Sequence, residues 1–345
     1  MEHEKLTAKK KTCAFKGCRE HPLAMSEYCW DHLTDKASYS EELINAINSG
    51  TDLAGANLTK VVIKKARLEK ANLKRACLSQ ADLSGTHFFD STLDHADLIG
   101  VNLSGCDLSH CSIKGADLTK ACLASARLWN ATLAGSNLTE ADLSGADLWN
   151  TNLFNTKLWH AAFGGAKSIT RLSFSGSSKL FDDKRIDEAG ALSAEESYRD
   201  LKQYFISNGM YNDASWASFK EKTMERLVLK KKGDWNYLPS LFMNILCGYG
   251  EKPYRIILTA FSTILLFAFL YFSLGAVERS GQAAYTMQWF DYIYYSTITF
   301  TTVGYGDFVP KAFAPFRIMA AAEAFCGVFV TGLFIFTLAR KYSAR

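Results

Sequence analysis

Two short stretches, far apart in the chain, hold residue types whose spacing suits the handling of cations. Near the N-terminus, "CAFKGCREHPLAMSEYCWDH" places Cys13, Cys18, Cys29 and His32 in a C-x4-C-x10-C-x2-H arrangement. Three thiolates and one imidazole complete a tetrahedral set for Zn2+ with no open position, which suits a structural site rather than a catalytic one. His21 lies in the same stretch and is an alternative fourth ligand. Near the C-terminus, residues 297–310 read "TITFTTVGYGDFVP". Gly304 and Gly306 allow backbone conformations in which successive carbonyl oxygens point the same way. A strand of this kind, contributed by several chains around an axis, surrounds a cation with oxygens that replace its hydration shell. One loop makes only one wall, so this chemistry requires several copies.

Such backbone is tolerated at membrane depth only where protein or water satisfies its polar groups, so the loop needs a frame. Residues 256–274 are nineteen residues without a charge, and 318–339 are twenty-two with one, Glu323. Both are long enough to cross ~30 Å of hydrocarbon at ~1.5 Å per residue. Pro253 suits the first turn of a span over 253–274, and a second runs from Pro315 to Arg340. Between them "WFDYIYYSTITF" is predicted to be a helix whose C-terminal partial negative charge faces the ion path. Lys230, Lys231, Lys232, Lys252 and Arg255 precede the first span, while Arg340, Lys341 and Arg345 follow the second. The positive-inside rule then places both termini in the cytoplasm and the intervening loop outside. The polar start, "MEHEKLTAKKK", gives no sign of a signal peptide. In a reducing compartment the nine cysteines are expected to bind metal or be buried rather than pair.

Between these two regions the pattern changes. From 53 to 163 every fifth residue is Leu, Ile or Phe, in twenty-three consecutive matches, and two residues before each sits a small side chain such as Ala56, Cys106, Cys111 or Ser136. A period of five fits neither a helix nor a simple strand. If five residues form one side of a square coil, twenty return to the same side, identical positions stack, and large and small residues fill a narrow interior. At ~4.8 Å per coil, nearly six coils make a rod ~28 Å long. Cys106 and Cys111 are then core residues. Residues 51–165 carry eleven acids and eleven bases, and the net charge of the chain is +4, so no nucleic-acid partner is expected. Seven bases in 60–75 and five acids in 82–107 are read as a solvated surface.

The repeat, with "ADLSGADL" at 141–148, resembles the pentapeptide-repeat family, whose fold is a right-handed quadrilateral β-helix. Span, pore helix, "TTVGYGD" and span over roughly 253–341 resemble the potassium-channel pore family, and the N-terminal cluster is similar to zinc-knuckle modules. The channel resemblance implies a homotetramer in which Thr302, Val303, Gly304, Tyr305 and Gly306 bind K+, with Thr301 supporting them. It also implies a strut from Tyr295 to Asp307 and a hinge at Gly327. Tyr305 between the glycines favours K+ over the non-selective relatives. Glu323 is expected to pack, protonated or hydrogen-bonded, against Ser296, Thr297 or Thr299, with a pH-sensing gate as the alternative.

The chain is thus divided into a zinc module (1–37), a capping helix (38–50, with Ser38 and Glu41 in capping-box spacing), the β-helix (51–167) and a linker (168–192). A helical connector with an interfacial elbow (193–250) and the pore domain (251–345) follow. Within the connector, one helix opens at Ser193 and a second spans about Asp213 to Lys232, with Trp216, Phe219, Leu227 and Val228 inward. The expected function is a K+ channel of the plasma or inner membrane, with the rod assembling or regulating it. The rod is also free to meet an unidentified cytoplasmic protein or ligand. A membrane-anchored interaction scaffold with a silent pore is the rival, and no motif supports an enzyme.

Overall fold

The computed structural model describes residues 12–174, 188–281 and 285–343, in two compact units, Met1–Val228 and Leu229–Arg345. The first is built on a twenty-residue coil. Parallel bridges join residues twenty apart without a break in spacing, from Asn57 with Cys77 to Asp147 with Lys167. Each bridge residue binds back to the coil before it, as Cys77 N–H donates to Ala56 O (2.9 Å) and Cys77 O accepts from Leu58 N–H (2.7 Å), while its neighbours Ala76 and Leu78 bind Asp97 on the coil after (2.9 and 2.7 Å). Every fifth residue points inward, and Leu93, Leu103, Leu118 and Leu148 are wholly buried. The small positions also hold polar groups, which donate to the carbonyl twenty-three residues earlier. Thr86 Oγ1 reaches Ile63 O (3.0 Å), Ser91 Oγ reaches Leu68 O (2.9 Å), and the Cys106 and Cys111 thiols reach Leu83 O (3.0 Å) and Phe88 O (2.9 Å). Burial pushes both thiols up to about 12, as expected of core cysteines.

The coil turns its corners in the left-handed region: Gln80, Gly85, Asp90 and His95 have φ of 59°, 70°, 59° and 58°. At Gly115 a Cβ would lie 2.7 Å from the His95 ring, because equivalent corners stack. The basic and acidic bands are also neighbours in the stack, where Lys64 pairs with Asp82 at 2.7 Å.

An open coil end exposes core, so both ends are covered. At the first, α1 (Lys36–Asn48) lays Tyr39, Leu43 and Ile47 against the rod. It begins two residues before the expected start: Asp35, a strong cap three residues ahead of Ser38, accepts from Ser38 N–H at 2.9 Å and displaces the Ser38–Glu41 box. At the other end, α2 (Glu188–Ser207) and α3 (Tyr211–Lys232) form the antiparallel pair. Tyr198, Leu201 and Phe205 are buried, and Tyr204 donates to Ala166 O (3.0 Å) while its ring meets Phe163. The expected connector is therefore a lid on the rod. Ser193 does not open α2, since its hydroxyl bonds back to Ala189 O within the helix. On α3, Val228 is buried and Trp216 and Leu227 join the core, but Phe219 stays half-buried. Residues 175–187 of the expected linker lie outside the described residues.

In the second unit, α4 (Tyr237–Cys247) packs on α5 (Pro253–Leu274), and Arg255 donates to Asn244 O at 2.7 Å. Pro253 occupies the first turn of α5, and Gly275 (φ 55°) ends it. The antiparallel strands β1 (Val277–Arg279) and β2 (Phe308–Pro310) bracket α6 (Trp289–Phe300), and α7 (Ala314–Ser343) follows. Among the described residues, two helices are long and apolar enough to cross a membrane, at Pro253–Leu274 and Ala314–Ala339. Arg345 and the side chains of Arg340 and Lys341 lie outside the described residues.

Candidate functional site

The candidate filter begins where α6 ends. Asp291 fixes the start of that helix, accepting from Gln288 N–H (2.7 Å) and Tyr285 Oη (3.1 Å). At its end the Val303 and Gly304 N–H groups both turn back to Ile298 O, at 2.9 and 3.3 Å. Thr302, Gly304 and Gly306 then take positive φ (56°, 54° and 80°). Among the described residues no donor reaches the carbonyls of Thr302, Val303, Gly304, Tyr305 or Gly306, and Thr301 to Asp307 are exposed on the single chain. Unpaired carbonyls are costly in hydrocarbon but available to a cation. The segment is held from its far side by Ser280 N–H on Asp307 O (2.9 Å).

The expected strut position is taken by a neighbouring residue. Tyr295 turns inward, its ring 5.0 Å from that of Tyr271, while it is the Tyr294 hydroxyl that faces the Asp307 carboxylate. One step along a helix swings a side chain by about 100°, so adjacent tyrosines cannot serve the same partner.

Glu323 is wholly buried on α7, with Ser296 of α6 against Oε1 and the Tyr271 hydroxyl of α5 donating to Oε2 at 2.7 Å. Ser296 is the partner among the three hydroxyls expected. Thr297 instead bonds Ile293 O within its own helix (2.7 Å), and Thr299 faces Tyr295. Tyr271 had no signal beyond being a hydroxyl in an apolar span. At Gly327, one turn on, a Cβ would lie 1.8 Å from Phe300 O. The helix runs unbroken through this position, where glycine permits contact between α7 and the end of α6.

The N-terminal cluster comes together as its spacing predicts. The ligand atoms of Cys13, Cys18, Cys29 and His32 lie within 4.8 Å of one another. Cys18 and Cys29 sulfurs are 3.9 Å apart, and His32 Nδ1 is 3.2 Å from Cys29 and 3.7 Å from Cys13. Tetrahedral ligands about 2.3 Å from a zinc ion sit about 3.8 Å apart, so the set fits. Burial pushes the Cys13 thiol up, but the Cys29 and Phe15 backbone N–H groups outweigh it and bring it to about 7. His21 is not in the cluster; its carbonyl accepts from Asn57 Nδ2 (3.1 Å), which helps hold the module on the first coil.

Residues 259–344 match the family model described as an ion channel, and 49–85, 86–123 and 121–159 match that for pentapeptide repeats. One segment of the chain is thus similar to pentapeptide-repeat proteins and another, which holds the two apolar helices, to ion channels. Over 88 residues it is 35% identical to the two pore potassium channel b of Oryza sativa subsp. japonica, covering 26% of this chain and 24% of that one. It therefore spans about a quarter of that relative's length. Among solved structures, the pentapeptide repeat protein Rfr23 from Cyanothece is 25% identical, covering 37% of this chain and 93% of its own, with a TM-score of 0.26. The pentapeptide repeat protein HetL from Nostoc is 29% identical, covering 33% and 60%, with a TM-score of 0.23.

Proposed function

We propose that this chain forms a homotetrameric, potassium-selective channel in a plasma or inner membrane, with both termini cytoplasmic. The observation that carries the reading is the run of carbonyls from Thr302 to Gly306, unpaired within the chain and placed at the end of a helix between two spans. Four such loops surround the axis, and K+ exchanges its hydration shell for their oxygens, with the Thr302 hydroxyl adding the innermost ring. The C-terminal end of α6 favours the cation there. A Zn2+ ion on Cys13, Cys18, Cys29 and His32 holds the N-terminal module, and the rod assembles or biases the pore. Purified protein in liposomes should pass K+ far faster than Na+ and be blocked by Ba2+; equal fluxes, or none, would reject the channel.

One observation favours a second role for the rod as a scaffold. Phe89, Trp129 and Trp149 are exposed on a single face, with Arg127 4.9 Å over the Trp129 ring, a composition common at protein interfaces. Under that reading the rod captures a protein while the pore stays silent, and the same liposomes show no flux.

A further inference from the structure

We infer that Glu323 carries a proton and is the hydrogen-bond donor that pins α7 to the pore helix, making it a positioning residue for the filter. The Ser296 hydroxyl touches Glu323 Oε1 and also lies 2.8 Å from Ile264 O. A backbone carbonyl has no proton to give, and two oxygens at the ordinary O–H···O separation need one between them. The single Ser296 proton therefore goes to Ile264 O. Tyr271 has one proton, which goes to Glu323 Oε2. The remaining contact, Ser296 to Glu323, has no donor unless the carboxyl is protonated. Three contacts need three protons, and an ionised Glu323 leaves only two.

The surroundings agree with this count. Tyr271 from α5 and Tyr295 from α6 are the titratable groups facing the carboxyl, and no lysine, arginine or histidine among the described residues forms an ion pair with it. An ionised carboxylate without a cation is expensive inside a span, whereas a neutral acid satisfies all its neighbours. One turn away, Gly327 seats on the carbonyl of Phe300, the last residue of α6. Glu323 and Gly327 thus fasten α7 at two successive turns to the helix that leads into the segment 302–306. The positioning role rests on the channel reading, but the proton does not.

Glu323→Gln and Glu323→Leu in the full chain test both parts. Glutamine keeps one donor for Ser296 and one acceptor for Tyr271; leucine keeps neither. At pH 7, the infrared difference between wild type and Glu323→Gln should contain the C=O stretch of a protonated carboxyl, shifting on exchange into D2O. In liposomes, Glu323→Gln should match wild type in K+ over Na+ selectivity, whereas Glu323→Leu should lose roughly tenfold, the scale of one buried hydrogen bond. Raising the pH should erode selectivity in wild type and leave Glu323→Gln unchanged. Absence of the band, or a Glu323→Gln channel that behaves like Glu323→Leu, would overturn the proposal, and the glutamine variant decides it even where leucine fails to assemble. If no variant, wild type included, passes K+, the channel reading and the positioning role fall together, while the band still decides the proton.

Discussion

The repeat unit and the pore unit solve the same problem in opposite directions. In the rod each coil pairs its backbone with the coils above and below, and the Leu column is sealed inside a single chain. In the pore unit the large apolar side chains face out: Phe269 is 64% exposed and Phe325 74%. The rod is complete as one chain, so its stability adds up coil by coil. On the proposed reading the pore unit is incomplete as one chain, because its surface would be covered by lipid and the carbonyls of 302–306 would meet those of other copies.

The sharpest way to break this contrast is a change that should ruin one unit and leave the other intact. Gly304 has a φ of 54°, where a Cβ is strained, and its carbonyl is one of those proposed to meet the ion. Gly304→Ala should abolish K+ flux in liposomes and leave the thermal unfolding of the rod unchanged; persistent K+ flux would remove the filter from the mechanism. Metal removal is the next largest effect, confined to the opposite end. By analogy with zinc fingers, the local folding free energy at stake is about 10 kcal/mol. Ala24 N–H bonds Asn57 O (2.8 Å), so loosening the module should also loosen the first coil. Chelation, or Cys29→Ser, should speed amide exchange over 13–35 and 53–60 while coils beyond 103 keep their protection. Uniform loosening would mean that the coils are coupled more strongly than a stack allows.

How much of this was legible beforehand follows from the range of the forces involved. The five-residue period could be read because stacking repeats the same environment at Leu53, Leu73 and Leu93. The bounds of α5 and α6 could be read because Pro253 and the apolar runs are local signals. Pairing decided at a distance could not. The choice of Tyr294 over Tyr295 for Asp307 depends on how α6 is rotated against α5, and Tyr271 meets Glu323 across 52 residues of sequence. The lid role of α2 and α3 was hidden because an amphipathic pattern names a buried face without naming what buries it. The left-handed corners had a partial signal in Gly85, Gly100, Gly105 and Gly115, obscured where the same corner carries Lys60, His95 or Asn130.

Within the rod, a core deletion should cost less than either change above. Leu108 is wholly buried, and Leu108→Ala should destabilise the rod by about 3 kcal/mol, read from denaturant unfolding. Because the pore unit has its own packing, K+ flux at temperatures where the rod stays folded should be unaffected. A large fall in flux would show that rod stability feeds directly into the pore, and the contrast between self-sufficient and dependent units would have to be narrowed.

The smallest effect is one that vanishes at neutral pH. Cys106 and Cys111 are pushed by burial from 9.0 to about 12, so folded and unfolded chains both hold these protons at pH 7 and the thiols contribute no pH dependence there. Since the folded value is the higher one, the stability they add is complete below pH 9 and is lost as pH rises towards 12. Serine can take over the same bond, as Ser91 donates to Leu68 O from an equivalent position at 2.9 Å. The double variant Cys106→Ser, Cys111→Ser should therefore match wild type within about 1 kcal/mol at pH 7 and show a shallower loss of stability above pH 9. Equal alkaline slopes would mean that water reaches these thiols, and the rod's interior would then be less tightly sealed than its contrast with the pore unit requires.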